Sequence, residues 1–138
     1  MEKVFDLKKI NPLTKAYTKF IRNRITDKNI TSSYLPYIDA LSKHKFRSQQ
    51  ELTDFLGCNK AHTSRTLLAM KLKGIIKPTY SQNVIELTEK GKNYVEQLQK
   101  AQKEFVVLLS EGITNEEKVI FEKVLDRFLT NTNKMEGV

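Results

Sequence analysis

With one cysteine, Cys58, the chain cannot form an internal disulfide. Its two histidines, His44 and His62, lack the H-x-x-x-H or C-x-x-C spacing of a metal site. Tryptophan is absent. No apolar run approaches the roughly 20 residues that cross a bilayer. No leader-like segment opens the sequence either, so a cytoplasmic protein without membrane contact is expected. Gly-rich phosphate loops, serine elbows and close carboxylate pairs are also missing. The sequence predicts neither an enzyme nor a cofactor.

Basic charge is what the chain has in excess, and it is unevenly placed. Its 138 residues suffice for one domain with a core and carry a formal charge of +8. Residues 88–138 hold eight basic and nine acidic side chains, whereas residues 1–87 hold sixteen basic and seven acidic. That is the footprint of a phosphate-binding surface. A lysine-rich surface fits charge alone equally well, so the decision rests on what the basic segment can form.

The densest signal runs from Arg47 to Gly91. Ser48-Gln49-Gln50-Glu51 reads as a capping box, in which the Ser and Glu side chains each take the other residue's backbone N–H. Leu52, Phe55 and Leu56 give the helix that follows one buried stripe. Gly57-Cys58-Asn59 is a tight turn, Asn59 an N-cap for a second helix and Gly74 its stop. At about 100° per residue, Thr63, Thr66, Leu67 and Met70 share one face, and Ala61, Ser64, Arg65 and Leu68 the other. Residues 58–77 include five Lys or Arg and no Asp or Glu. Helix, short turn and basic helix make a helix-turn-helix, and small polar groups with an Arg on the outward face suit the DNA major groove. Ile75–Tyr80 and Val84–Leu87, joined by Ser81-Gln82-Asn83, read as a hairpin, and a hairpin directly after a recognition helix is a wing.

The register L-T-x-F-L-G, N-K-x-x-T-S-R-x-L-x-x-M-x-x-K-G-I-I and I-E-L-T-E-K-G resembles that of the MarR family of bacterial winged-helix regulators. Ile30-Thr31-x-x-Tyr34-x-x-x-Ile38-x-x-Leu41 is similar to that family's second helix. The likeness covers nearly the whole chain, in order. It implies a mainly α fold, a winged helix-turn-helix with a small β-hairpin wing. One domain would span 1–138, with a DNA-binding lobe at 30–91 and N- and C-terminal dimerisation helices at 1–29 and 92–138. It also implies a homodimer on a pseudo-palindromic site of double-stranded DNA. Tyr17, Phe20, Tyr34 and Tyr37 fall on the helices that line the family's crevice for phenolic or other small apolar effectors. Taken singly, each of the four reads better as core. The sequence also departs from the family. Ser81-Gln82-Asn83 is shorter than the usual wing and uncharged, and Thr63 and Thr66 stand where larger aliphatics are usually buried.

Flanking helices follow from caps and spacing. Asn11-Pro12 reads as a helix start. Leu13, Tyr17, Phe20, Ile21 and Ile25 form that helix's stripe. Thr31 or Ser33 caps the next helix, with Pro36 favouring a start at Ser33. Lys43–Arg47 is a basic connector. Thr88 caps a long helix to about Ser110, whose stripe is Tyr94, Leu98, Ala101, Phe105, Leu108 and Leu109. Thr114 and Glu117 form a second capping box before a last helix with Val119, Ile120, Val124, Leu125, Phe128 and Leu129 inward. Residues after Thr130 read as frayed.

The expected DNA contacts are Asn59, Lys60, Ala61, His62, Ser64 and Arg65 at the groove, with Arg65 as a guanine partner. Ser48 and Gln49 would hold phosphates, joined by Lys77 and the wing residues Ser81, Gln82 and Asn83. His62 reads equally as a DNA contact or a solvent-facing side chain. Cys58 reads as a packing residue or as a thiol of lowered pKa. Together these predict a sequence-specific transcriptional regulator, a repressor released by a small effector. A winged-helix module that binds another protein, or an effector-independent DNA binder, are the alternatives.

Overall fold

The computed structural model describes residues 2–25, 27, 29–79 and 84–137. Among them run six α-helices: α1 Ile10–Arg24, α2 Leu35–Lys43, α3 Gln49–Leu56, α4 Lys60–Leu72, α5 Glu89–Leu109 and α6 Asn115–Thr132. Short 3-10 turns stand at Leu7–Lys9 and Asn133–Met135. The fold is mainly α, as the sequence predicts. None of the described helices is long and apolar enough to cross a membrane. The chain divides into two compact units, residues 1–105 and 106–138.

The first unit holds the core. Ile21 and Ile25 from the end of α1 meet Tyr34, Leu35, Tyr37 and Ile38 around α2, Leu52 of α3, and Leu67 and Met70 of α4. Ile75, Ile76, Ile85 and Leu87 come from the segment after α4, and Tyr94, Leu98 and Ala101 from α5. Phe46, in the basic connector, is buried too, and its carbonyl accepts from the Ile85 N–H at 3.0 Å. Among the described residues, the base of the expected hairpin shows an antiparallel bridge between Ile76 and Leu87. It is flanked by Lys77 N–H to Glu86 O at 2.9 Å and Thr88 N–H to Ile75 O at 3.0 Å. Ser81, Gln82 and Asn83, the expected tip, lie outside the described residues.

Two helix starts and one half of a capping box differ from the sequence reading. α1 begins at Ile10, because Asp6 caps a preceding 3-10 turn through the Lys8 N–H, and Pro12 then sits harmlessly inside the first turn. α2 begins at Leu35 with no side-chain cap: Thr31 and Ser33 bond each other at 2.7 Å instead, and Pro36 falls at the second helical position. At α3, Ser48 accepts from the Glu51 N–H at 3.1 Å as a capping box requires. Glu51, however, reaches past Ser48 to the Arg47 N–H at 2.9 Å. Phe55, expected inside, is 54% exposed and stacks on His44 and Phe46, with centroids 4.8 and 5.3 Å away.

Thr88 does cap α5, accepting from the Gly91 N–H at 3.1 Å while its hydroxyl donates to the Gly74 carbonyl at 2.5 Å. Gly91 is required there for space. A Cβ on it would stand 2.3 Å from the Ile75 carbonyl oxygen, closer than any packing tolerates.

In the second unit, Gly112 takes the left-handed φ of 80° that closes the turn after α5. Thr114 and Glu117 form the reciprocal capping box that opens α6. The helix continues to Thr132, past the expected fraying point. Most of its apolar residues are not inward in the single chain: Val119, Ile120, Phe121 and Leu129 are each 60% exposed or more, while Phe128 is half-buried.

Candidate nucleic-acid interface

α4 is set by its two ends. Asn59 is extended, and its side chain accepts from the His62 N–H at 2.8 Å. At the other end Gly74 takes φ 72°, and the Ile75 N–H turns back to the Met70 carbonyl at 2.9 Å. Gly57, at φ 66°, ends α3 and makes the corner that brings α3 against α4. The helix-turn-helix is therefore built by one left-handed glycine and one side-chain cap.

The buried face of α4 is Thr63, Thr66, Leu67 and Met70. Thr63 is wholly buried inside a cluster of hydroxyls and one thiol. Thr53 donates to Thr63 at 2.7 Å, Tyr37 Oη lies 3.2 Å from Thr63, and Cys58 Sγ lies 3.3 Å from both Thr63 and Tyr37. Thr53 is also within 2.8 Å of the Gln49 carbonyl. The threonines that stand in place of larger aliphatics thus tie α2, α3 and α4 together by hydrogen bonds. Burial pushes the Tyr37 hydroxyl up, and the neighbouring thiol adds to that. Burial pushes the Cys58 thiol up as well, but hydrogen bonds from Thr63 and Tyr37 outweigh it, and its pKa falls below the usual thiol value.

On the opposite face Lys60, Ala61, Ser64, Arg65, Leu68 and Leu72 are exposed. Lys60, Ala61, Ser64 and Arg65 stand where the sequence places them, together on the N-terminal half of the helix. Leu72, 81% exposed, was missed, although the spacing that puts Ala61 and Leu68 on one face carries on to 72. His62 is half-buried with its ring 5.9 Å from Tyr37, so it leans toward the core side of the helix end. Asn59 spends its side-chain oxygen on the cap. Ser48 and Gln49 sit half-buried at the start of α3.

Not every cation of this segment is available. Lys77 pairs with Glu86 at 2.8 Å, and the hydrogen bond raises the lysine's pKa while lowering the glutamate's. Lys73 donates to the Asn29 carbonyl at 2.9 Å and lies over the Tyr34 ring. Among the described residues, no acid forms an ion pair with Lys60 or Arg65.

A cavity of about 250 Å³ opens between α1, α2 and α5, lined by Tyr17, Thr18, Ile21, Leu35, Asp39 and Leu98 among others. Of the four aromatics expected at an effector site, Tyr17 is the one among its described lining residues. Gln102 donates to the Tyr17 hydroxyl at 2.8 Å. Phe20 packs on Phe105, and Tyr34 and Tyr37 are buried in the core.

No protein-family model matches this sequence, and no curated protein matches it either. Solved structures do. A MarR transcriptional regulator from Methanosarcina mazei Go1 superposes with a TM-score of 0.82 at 21% identity, covering 96% of this chain and 94% of its own. The oxidized form of MarR from E. coli gives 0.74 at 19% identity, over 92% and 97%. A Listeria monocytogenes chain described as a MarR family regulator, complexed with 26mer DNA, gives 0.76 at 17%, over 95% and 89%. At such identities the likeness speaks for architecture, and it spans nearly the full length of both partners: this chain has the fold of the MarR transcriptional regulators.

Proposed function

We propose that the chain is a DNA-binding transcriptional regulator that acts as a homodimer on a pseudo-palindromic site. The observation that carries this is the outward face of α4. It offers Lys60, Ser64 and Arg65 to solvent, on a helix whose other face is locked into the core, and residues 58–77 include no Asp or Glu. Arg65 is the guanine partner, Lys60 a phosphate contact, and Ser48 and Gln49 hold phosphates from the start of α3. The complex of the Listeria relative with DNA supports the same partner here.

Binding should weaken linearly in log–log salt titrations, by about 0.9 in slope for each phosphate neutralised. Arg65→Ala should cost about 1–3 kcal/mol on a selected site and much less on random duplex. Equal loss on both would make Arg65 a backbone contact. A flat salt dependence would favour the competing reading, a module that binds another protein, which draws on the uncharged Ser81-Gln82-Asn83 and on Lys77 being held by Glu86.

The exposed apolar residues of α6 support the homodimer. The cavity beside Tyr17 supports a small, largely apolar effector that releases a repressor from DNA. Titrating small phenols into the DNA complex tests that step, and release should be lost in a Tyr17→Trp variant that fills the cavity.

A further inference from the structure

The exposed stripe of α4 has an apolar centre. Taking Ala61 as the reference and about 100° per residue, Leu68 and Leu72 lie about 20° to either side of it, with Arg65 about 40° one way and Ser64 about 60° the other. Leu68 is 59% exposed and Leu72 81%, on a helix that keeps Thr63 and Thr66 inside. Exposed leucines are ordinary when scattered. These two continue a line of small and polar groups, in a segment that has only basic charge. That charge favours a polyanion over an apolar protein surface as the occupant.

The apolar feature a duplex offers in its major groove is the C5-methyl of thymine. We propose that Leu68 reads a thymine methyl within one or two base-pair steps of the guanine taken by Arg65. Three helical residues advance about 4.5 Å, against about 3.4 Å per base step. Leu72 continues the apolar line toward the groove edge. The inference rests on the DNA-binding reading above and adds a specificity determinant to it: an A·T pair at a fixed offset from the G·C pair.

The test begins with sites selected by the wild-type chain from a random duplex library. Each thymine of the selected core is then replaced by deoxyuridine, which removes the methyl and nothing else. One such replacement should weaken wild-type binding about fourfold, as expected for one buried methyl-sized group. Leu68→Ala should bind the thymine and deoxyuridine sites alike, and its exposed position leaves the fold intact. A wild-type chain indifferent to every replacement overturns the proposal, as does a preference for thymine that persists in Leu68→Ala. Full affinity in Leu68→Ala would also overturn it and hand the leucines to a protein partner. If the wild-type chain selects no sites and shows no salt dependence, the DNA-binding reading itself falls, and this inference with it.

Discussion

α4 and α6 make an instructive pair. α6 has the more conventional pattern, with apolar residues at 119–121, 124–125 and 128–129, yet none of its residues is buried in the single chain. α4 has threonines where aliphatics are expected and leucines where polar groups are expected, yet four of its residues are buried. Apolar periodicity therefore marks a face that wants covering without saying by what. α4's inward face is covered by its own chain, through Leu67 and Met70 in the apolar core and through Thr53, Tyr37 and Cys58 around Thr63. α6's face stays open, which suits a second copy.

The sharpest way to break this contrast is to charge α6. Leu125→Glu places a carboxylate on a face that is accessible in the single chain and that the proposed homodimer would cover. Desolvating an unpaired charge there should weaken association by on the order of 4 kcal/mol. Sedimentation should show monomer with helical content unchanged, and DNA binding should fall with it. A variant that still sediments as a dimer would place the self-contact elsewhere.

Inside the first unit the expected losses appear as stability. Gly91→Ala drives a Cβ against the Ile75 carbonyl, and the neighbour is backbone that cannot swing aside. The cost should be about 3 kcal/mol, read as a lowered urea midpoint. Thr63→Val keeps the volume and removes the hydroxyl shared by Thr53, Tyr37 and Cys58, leaving buried partners unmet at about 1–2 kcal/mol. Leu68→Thr, on the outward face, should change stability by less than about 0.5 kcal/mol. If Thr63→Val and Leu68→Thr cost the same, the hydroxyl cluster is not what holds α4 inward.

Much of this was legible in the sequence because it depends on neighbours a few residues apart. Asn59, Gly74, Thr88 and the Thr114–Glu117 box are local caps, and all act as the sequence suggests. The two faces of α4 followed from angle alone. Some failures lie where two near neighbours compete for one group, and others where a distant partner decides. Asp6 captured the first helix start, and Arg47 diverted Glu51 from Ser48. Phe46 went inside through its place beside Ile85, while Phe55 was left to stack on the surface. The cavity wall came from Thr18, Asp39 and Leu98, polar or distant residues that a search for aromatics passes over.

An effect read only through its pH dependence tests how the first unit is closed near α5. Tyr94 donates to Asp27, which also accepts from the Asn29 N–H at 2.8 Å. The Tyr94 bond, then the Asn29 N–H, hold the Asp27 carboxyl below its usual range, with the charge of Lys90 assisting. Burial, then Asp27 itself, pushes Tyr94 up to about 12. A carboxylate with a lowered folded pKa stabilises fully above its unfolded value of about 4, and that contribution fades as pH falls through the lowered pKa. A tyrosine with a raised folded pKa stabilises fully below its unfolded value of about 10 and loses this as pH climbs through its folded value. Tyr94→Phe should remove the tyrosine's contribution outright and reduce that of Asp27, which keeps the Asn29 N–H and the charge of Lys90. The stability difference between wild type and variant should be flat from about pH 5 to 9 and shrink on either side. The acid limb should shrink incompletely, because Asn29 and Lys90 still favour the Asp27 carboxylate in the variant. A difference that stays constant through the acid limb would mean that the proton on Asp27 is indifferent to Tyr94, and the pair would then be a contact of packing alone.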